Sequence, residues 1–237
     1  MATDQFLEFG SADIFEYFGY DLNMPPEKVN ESIERFGIGF MFAQKFHPAM
    51  KNVAEARKIL GKRTAFNLLG PLSNPAGVKN QVVGVYSADY LERVVLLLKA
   101  RGAQSVMSVL SHDGLDELST SSKNQICHLK DGKISLKILN PQDLGLAKSS
   151  LGDIQVSTKE EAIKAFYSVL KGTANKSMTE VTALNAAAGL VISDLANDFA
   201  DATQIALDSI KSGKAYSVFK SFIGFCGNMQ KIEELEK

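Results

Sequence analysis

The sequence predicts an α/β protein in which a small helical part, residues 1–62, precedes a mainly parallel sheet flanked by helices, residues 63–237. Two observations support this fold class. Apolar residues recur at helical spacing in the first part, whereas apolar strand-like runs alternate with amphipathic segments in the second. A strand–helix–strand rhythm is typical of parallel strands joined by crossover helices. With 237 residues, the chain can form one large domain or two small ones.

Three helices are predicted in the helical part. Ser11 can cap the first and Gly19 can end it, because serine accepts hydrogen bonds from a helix N-terminus and glycine tolerates the left-handed closing turn. Pro25 and Pro26 suit the first turn of the second helix. Gly61 can close the third. The expected helices cover residues 11–18, 25–36 and 52–60.

The second part begins with a predicted strand–helix–strand unit. The apolar runs 80–86 and 105–110 are the strands, and Ser87 and Gly102 bound the helix between them. Further along, an Asp-Gly pair predicts a tight hairpin turn. It joins strands expected at 126–129 and 134–139.

Three or four helices are predicted after the hairpin. Thr158, with a glutamate three residues later, forms a capping box that opens the first of them, which runs through Leu170. The others are expected around residues 181–192, 200–210 and 215–223.

Residues 111–117, Ser-His-Asp-Gly-Leu-Asp-Glu, place three carboxylates within five residues, directly after the predicted strand 105–110. Such a cluster repels itself unless a positive charge neutralises it. Mg²⁺ is a suitable partner, because it prefers oxygen ligands and often bridges to a phosphate. On these residues alone, an acidic loop that caps a helix explains the run equally well.

Three further residues could bind an organic acid, although each has an ordinary structural explanation. His47 could orient a carboxylate or move a proton, but a lone histidine in an apolar setting is more often structural. Arg57 could hold a carboxylate with two parallel hydrogen bonds, or it could be a solvated helix residue. Pro71 could form a rigid wall against a flat ligand, or it could belong to a simple connection.

Composition argues against several functional classes. The net charge of −1, from 26 basic and 27 acidic residues, gives no reason to expect a nucleic-acid partner or an anionic membrane surface. The two cysteines, Cys127 and Cys226, show no metal-ligand spacing, which favours a reducing, cytoplasmic location. No apolar run reaches membrane-spanning length, and the N-terminus lacks the features of a secretory signal.

Several segments are informative through their order and spacing. They are residues 10–13 (Gly-Ser-Ala-Asp), 36–43 (Phe-Gly-Ile-Gly-Phe-Met-Phe-Ala), 46–51 (Phe-His-Pro-Ala-Met-Lys), 63–64 (Arg-Thr), 66–75 (Phe-Asn-Leu-Leu-Gly-Pro-Leu-Ser-Asn-Pro), 113–117 (Asp-Gly-Leu-Asp-Glu) and 212–215 (Ser-Gly-Lys-Ala). Together they resemble the anthranilate phosphoribosyltransferase family, and the resemblance covers nearly the whole chain.

The resemblance implies a fold of the nucleoside phosphorylase and phosphoribosyltransferase type. It also implies transfer of the phosphoribosyl group from phosphoribosyl pyrophosphate (PRPP) to anthranilate, in tryptophan biosynthesis, by a Mg²⁺-dependent homodimer. No nucleophilic side chain is implied, so orientation and charge stabilisation would carry catalysis. The residues that it implies are Asp116 and Glu117 for Mg²⁺, Ser11 for PRPP, and His47, Arg57 and Pro71 for anthranilate.

Family members also have an N-terminal part with a Gly-Thr-Gly-Gly-Asp loop, which holds the pyrophosphate, and a Lys-His-Gly-Asn segment. Neither motif occurs in these 237 residues. We therefore expect a C-terminal portion that is inactive by itself, through truncation, a misassigned start or natural fragmentation. Two alternatives stay open. One is a non-catalytic binding protein of the same fold that has lost the loop, and the other is a related nucleoside phosphorylase.

Overall fold

The computed structural model describes residues 10–47, 70 and 72–236. The predicted helix over residues 52–60 lies outside this part of the chain. The principal helices and strands within it are α1 (Ser11–Tyr17), α2 (Pro26–Phe36), α3 (Ala43–Phe46), β1 (Asn80–Gly84), α4 (Leu91–Ala100), β2 (Ser105–Ser111), β3 (Asn124–Lys130), β4 (Lys133–Leu139), α5 (Lys159–Lys171), α6 (Lys176–Ile192), α7 (Phe199–Lys211), α8 (Lys214–Cys226) and α9 (Met229–Glu236).

Several helix boundaries follow the predicted capping residues, but the predicted cap Ser11 is the first helical residue of α1, and Gly10 occupies the N-cap position. Pro26 occupies the first turn of α2, and Gly37 closes that helix in a left-handed conformation with φ of 73°. Thr158 caps α5, because its hydroxyl accepts a hydrogen bond from the backbone N–H of Glu161 at 3.1 Å. The carboxylate of Glu161 reaches back to the N–H of Ser157 rather than to that of Thr158.

The chain forms two compact units. The first draws on Met1–Lys62, Val156–Ala174 and Ile210–Lys237, and the second on Arg63–Gln155 and Asn175–Ser209. Residues 156–174 and 210–237, predicted to belong to the sheet-containing part, therefore group with the N-terminal helices. The chain passes back and forth between the units instead of dividing once at residue 62.

The first unit has an aromatic core, which explains why these later helices belong to it. Phe18 packs edge-on against Phe219 of α8, with ring centroids 5.0 Å apart. Tyr20 stacks on Phe222, also of α8, at 5.7 Å. Helix α5 adds the buried side chain of Tyr167 to the same cluster. Aromatic pairs in edge-on or stacked geometry stabilise the folded state beyond the contribution of the apolar area that they bury.

The second unit contains a four-stranded sheet in the order β1-β2-β3-β4. The predicted α/β class, with a sheet flanked by helices, is confirmed, and β1 and β2 are parallel as expected. The other two pairs, β2–β3 and β3–β4, are antiparallel, so "mainly parallel" describes only the first pair of the described strands. Parallel strands need a long crossover, usually a helix, whereas two residues join β3 to β4 and the connection 112–123 between β2 and β3 contains no helix. The turn at Asp131-Gly132 closes the predicted hairpin.

Helices cover both faces of this sheet. On one face, α4 packs its buried side chains Val94 and Leu98 against Val106 of β2. On the other face, α6 packs Leu184 and Ala187 into the cluster that contains Met107 of β2. Strand β2 is buried along its whole length. Burial on both faces explains why this strand appears in the sequence as a nearly continuous apolar run.

Each unit contains one buried cysteine. Cys127 lies on β3 in the second unit, and Cys226 ends α8 in the first. Burial raises the pKa of each thiol to about 11. Among the described residues, every helix is too short or too polar to cross a membrane.

The aromatic core gives a first prediction. Phe222→Ala should lower the free energy of unfolding by about 3–5 kcal/mol, because it removes a fully buried ring. Urea denaturation followed by circular dichroism measures this change. Val218→Ala on the same helix is the matched control, since Val218 is 45% exposed, and it should cost no more than about 0.5 kcal/mol. Equal losses for the two variants would contradict the described packing of α8.

Candidate metal site in the loop after strand β2

The acidic residues lie on the loop that joins β2 to β3. Asp116 and Glu117 are exposed there, although β2 itself is buried. Because β1 runs parallel to β2, the carboxyl ends of both strands lie at the edge of the sheet from which this loop leaves. Ligands of open α/β sheets commonly bind outside the carboxyl ends of parallel strands. The two exposed carboxylates are therefore in a suitable place to contact a ligand.

Asp113 has a different role from the other two acidic residues. Its carboxylate accepts a hydrogen bond from the hydroxyl of Ser119 at 2.6 Å and another from Ser121. It also accepts the backbone N–H of Leu115 at 3.2 Å. These contacts within the loop use the lone pairs that a metal would need. The three-carboxylate cluster of the sequence is thus a pair, Asp116 and Glu117, next to a structural aspartate.

The electrostatic environments of Asp113 and Glu117 are opposite. Burial disfavours the charged form of Asp113, but hydrogen bonds from Ser119, Ser121 and Ser111 outweigh it and lower the pKa of this carboxyl below its usual value. Desolvation, followed by the negative charge of Asp116, raises the pKa of Glu117. Glu117 is exposed at the surface, yet neighbouring protein atoms displace part of the water around its carboxylate.

The backbone of Asp116 lies very close to β1. A Cβ atom placed on Gly84, the last residue of that strand, would overlap with the carbonyl oxygen of Asp116. Glycine is therefore required at this position, because any side chain would displace the loop. Glycine within a strand is often the mark of such a close approach by another backbone segment.

Two asparagines hold the residues that follow the acidic pair. The side-chain amide of Asn185, on α6, accepts the N–H of Leu118 at 3.0 Å and donates to its carbonyl at 2.7 Å. Asn124, the first residue of β3, accepts the N–H of Ser119 at 2.8 Å and donates to its carbonyl at 3.0 Å. Asn124 and the side chain of Leu118 are fully buried. The loop therefore has a fixed backbone on the C-terminal side of the pair.

The pair alone suits a cation that brings other ligands with it. In the described part of the chain, no group of three or more acidic, histidine or cysteine side chains could hold a metal. Nor does any lysine, arginine or histidine in that part form an ion pair with Asp116 or Glu117. Mg²⁺ is commonly bound through one or two carboxylates, with waters and substrate phosphates completing its coordination. The residues present fit that mode of binding.

The other predicted site residues are only partly described. Ser11 begins α1 and is exposed. His47 follows α3, is half-buried, and donates its backbone N–H to the carbonyl of Ala43 at 2.8 Å. Both belong to the first unit, whereas the acidic pair belongs to the second. Arg57 and Pro71 lie outside the described residues, so their roles stay predictions.

Sequence reasoning missed three residues that shape the loop. Gly84 gave a usable signal, because a glycine in an apolar strand points to a bulge or a close backbone approach. Asn124 and Asn185 gave none. Asn185 is 67 residues from its partner Leu118, and nothing in the sequence pattern predicts that pairing.

Comparison with known proteins identifies relatives of one kind. The profile of a glycosyl transferase family, a/b domain, matches residues 8–216. The anthranilate phosphoribosyltransferase of Nitrosopumilus maritimus is 58% identical over 226 residues, which are 95% of this chain and 65% of that protein. The anthranilate phosphoribosyltransferase of Bacillus velezensis is 45% identical over 87% of this chain and 61% of its own length.

Solved structures agree with these relatives. A crystal structure of anthranilate phosphoribosyltransferase from Thermus thermophilus superposes with a TM-score of 0.83 and 36% identity, covering 92% of this chain and 64% of that one. The Saccharomyces cerevisiae enzyme in complex with PRPP and Mg gives a TM-score of 0.80 and 26% identity, covering 92% and 62%. The chain thus spans somewhat less than two thirds of the length of these proteins.

The opposite environments of the two acidic residues predict opposite effects on stability. A raised pKa means that the folded state binds protons more tightly than the unfolded state, so stability falls as pH rises between the usual and the raised pKa of Glu117. Glu117→Gln should therefore increase the free energy of unfolding at pH 7. Its advantage should vanish below about pH 4, where the glutamate is protonated in both states.

Asp113→Asn is the matched comparison and should lower stability at pH 7. A lowered pKa contributes stability that is present above the usual pKa of aspartate and is lost as pH falls through the folded pKa. An amide has only one oxygen, so either the N–H of Leu115 or the hydroxyls of Ser119 and Ser121 lose their acceptor, which should cost about 1–3 kcal/mol. Urea denaturation at pH 7 and at pH 4 measures both variants. If both substitutions raised, or both lowered, the free energy of unfolding at pH 7, the opposite environments described for Asp113 and Glu117 would be contradicted.

Proposed function

Because the chain belongs to the glycosyl transferase family, and the relatives that it matches are anthranilate phosphoribosyltransferases, we propose that it supplies the Mg²⁺ site of such an enzyme. The reaction transfers the phosphoribosyl group from PRPP to anthranilate, a step of tryptophan biosynthesis. The observation that carries the proposal is the exposed pair Asp116 and Glu117 on a fixed backbone at the carboxyl end of a parallel strand.

In this proposal Asp116 and Glu117 would hold Mg²⁺ when PRPP is bound. Mg²⁺, when bound, supplies the positive charge that neutralises the leaving pyrophosphate. Asp116 and Glu117 would contribute oxygen ligands from a segment whose backbone is hydrogen-bonded on both sides, at Leu115 and at Leu118. Binding the cation also removes the repulsion between the two carboxylates, which is part of what raises the pKa of Glu117.

The remaining assignments come from the resemblance. Ser11 contacts PRPP, Arg57 pairs with the carboxylate of anthranilate, and His47 and Pro71 line the path of that substrate. The aromatic amine of anthranilate needs little deprotonation, so these residues bind and orient it rather than act as a nucleophile or a strong base. A homodimer and a cytoplasmic location belong to the same proposal and rest on the resemblance and on the use of cysteine.

The metal site gives a prediction that separates this function from that of a binding protein that has lost its ligands. Mg²⁺ should bind the 237-residue chain weakly alone and more tightly when PRPP is present, because substrate phosphates complete the coordination of the ion. Isothermal titration with and without PRPP measures the difference. Glu117→Gln should abolish the gain in Mg²⁺ affinity that PRPP causes. Glu160→Gln, a change at an exposed glutamate in the first unit, should leave this gain intact. Equal Mg²⁺ affinity in both conditions would reject the proposal.

A second prediction concerns turnover by these 237 residues alone. The family's Gly-Thr-Gly-Gly-Asp loop is not among them, and losing even one donor that stabilises a developing charge typically lowers the rate by about 10²–10³. We expect no detectable loss of anthranilate fluorescence with PRPP and excess Mg²⁺. The Nitrosopumilus maritimus relative serves as the positive control. Turnover of about 1 s⁻¹ or more would show that the chain holds pyrophosphate by other means.

A further inference from the structure

Asn185 makes an unusual set of contacts for a residue in the middle of a helix. Its carboxamide pairs with both backbone groups of Leu118, at 3.0 Å and 2.7 Å, and its amide nitrogen also donates to the carbonyl of Val181 one turn earlier in α6 at 2.9 Å. A planar amide that binds the N–H and the C=O of one residue fixes both the position and the rotation of that backbone segment.

Helix α6 does not need an asparagine at this position for its own stability. Residues 186–188 are all alanine, and residue 183 is alanine too, whereas asparagine has a lower helix propensity than alanine. Ala183, Ala187 and Ala188 are fully buried, so this part of the helix lies close to its neighbours in the second unit. Within the described part of the chain, the hydrogen bonds of Asn185 to residues outside the helix are those with Leu118.

Leu118 follows the acidic pair directly. Its side chain is fully buried in the apolar cluster that contains Leu184 of α6, and its backbone is held by Asn185. On the N-terminal side of the pair, the carbonyl of Leu115 accepts the N–H of Ser111 at 2.9 Å, and the carbonyl of Asp116 lies very close to Gly84. The two metal-binding side chains therefore project from a three-residue segment that is fixed at both ends, while the carboxylates themselves stay exposed.

From this geometry we infer that Asn185 is a positioning residue for the metal site and acts on Asp116 and Glu117 through the backbone of Leu118. The inference rests on the proposed function, because it assigns Asn185 to the acidic pair of that site. Residues that hold metal ligands in place affect metal affinity without touching the ion, and their loss typically weakens binding by about 10–100-fold.

The test uses Mn²⁺ as the probe, because it accepts the same oxygen ligands as Mg²⁺ and its binding is measured directly by electron paramagnetic resonance. The dissociation constant for Mn²⁺ is measured for the full 237-residue chain in the presence of PRPP. Asn185→Ala should weaken Mn²⁺ binding by about 10–100-fold. The measurement is made well below the melting temperature of every variant, so a loss of stability alone does not change the result.

Asn175→Ala is the matched control on the same helix. Asn175 caps α6, donates its amide to the carbonyl of Asp153 at 3.0 Å, and accepts the N–H of Met178 at 2.7 Å. It lies ten residues before Asn185, roughly 15 Å along the helix axis. Both alanine variants should lower the melting temperature, but Asn175→Ala should leave Mn²⁺ affinity within about twofold of the wild type, well short of the loss that follows removal of a positioning residue.

Asn185→Gln keeps the test decisive if the alanine variant does not fold. Glutamine retains the donor and the acceptor on a stem that is one methylene longer, so it should still bind Leu118 but shift it, weakening Mn²⁺ binding less than alanine does. Wild-type affinity in whichever Asn185 variant folds, together with loss of binding in Glu117→Gln, would overturn the inference and leave the proposed function intact. If the wild-type chain binds no Mn²⁺, or if Mn²⁺ binds equally well after Glu117→Gln, the proposed function fails, and the inference fails with it.

Discussion

The fixed backbone of residues 116–118 is the constraint on which the candidate site depends. Gly84 lets the carbonyl of Asp116 approach β1, and Asn185 pairs with both backbone groups of Leu118. Because these contacts involve main-chain atoms, they leave the two carboxylates exposed. On a mobile loop, two neighbouring anions would separate to reduce their repulsion. Here the backbone that carries them is held in place, and a divalent cation would offset the repulsion between the two charges.

The same short loop contains carboxylates with two different uses. Asp113 accepts hydrogen bonds from serine hydroxyls, which favour its ionised form. Glu117 is partly desolvated beside the negative charge of Asp116 and is therefore more easily protonated. Environments that push two carboxyl groups apart in pKa commonly indicate separate roles. Asp113 organises the loop and Glu117 is available to a ligand. Only some of the acidic residues in this segment therefore serve binding.

Much of the fold could be predicted from local signals, because caps, turns and apolar periodicity are encoded within a few residues. The parallel pair β1–β2 and the turn at Asp131-Gly132 are examples. The grouping of α5 and α8 with the N-terminal helices could not be predicted, since an amphipathic face shows that a partner exists but not which one. The acidic pair was found because its residues are adjacent. Its support from Asn185 was not, because that contact spans 67 residues and depends on tertiary packing.

The two buried cysteines, one in each unit, can report local opening of the structure around them. A thiol reacts through its thiolate, so a pKa of about 11 keeps Cys127 and Cys226 slow to react at neutral pH while they stay buried. Alkylation under native conditions then proceeds through transient opening of the surrounding structure. Since the chain has only these two cysteines, separate modification rates would show whether its two units open together or one at a time, without any introduced label.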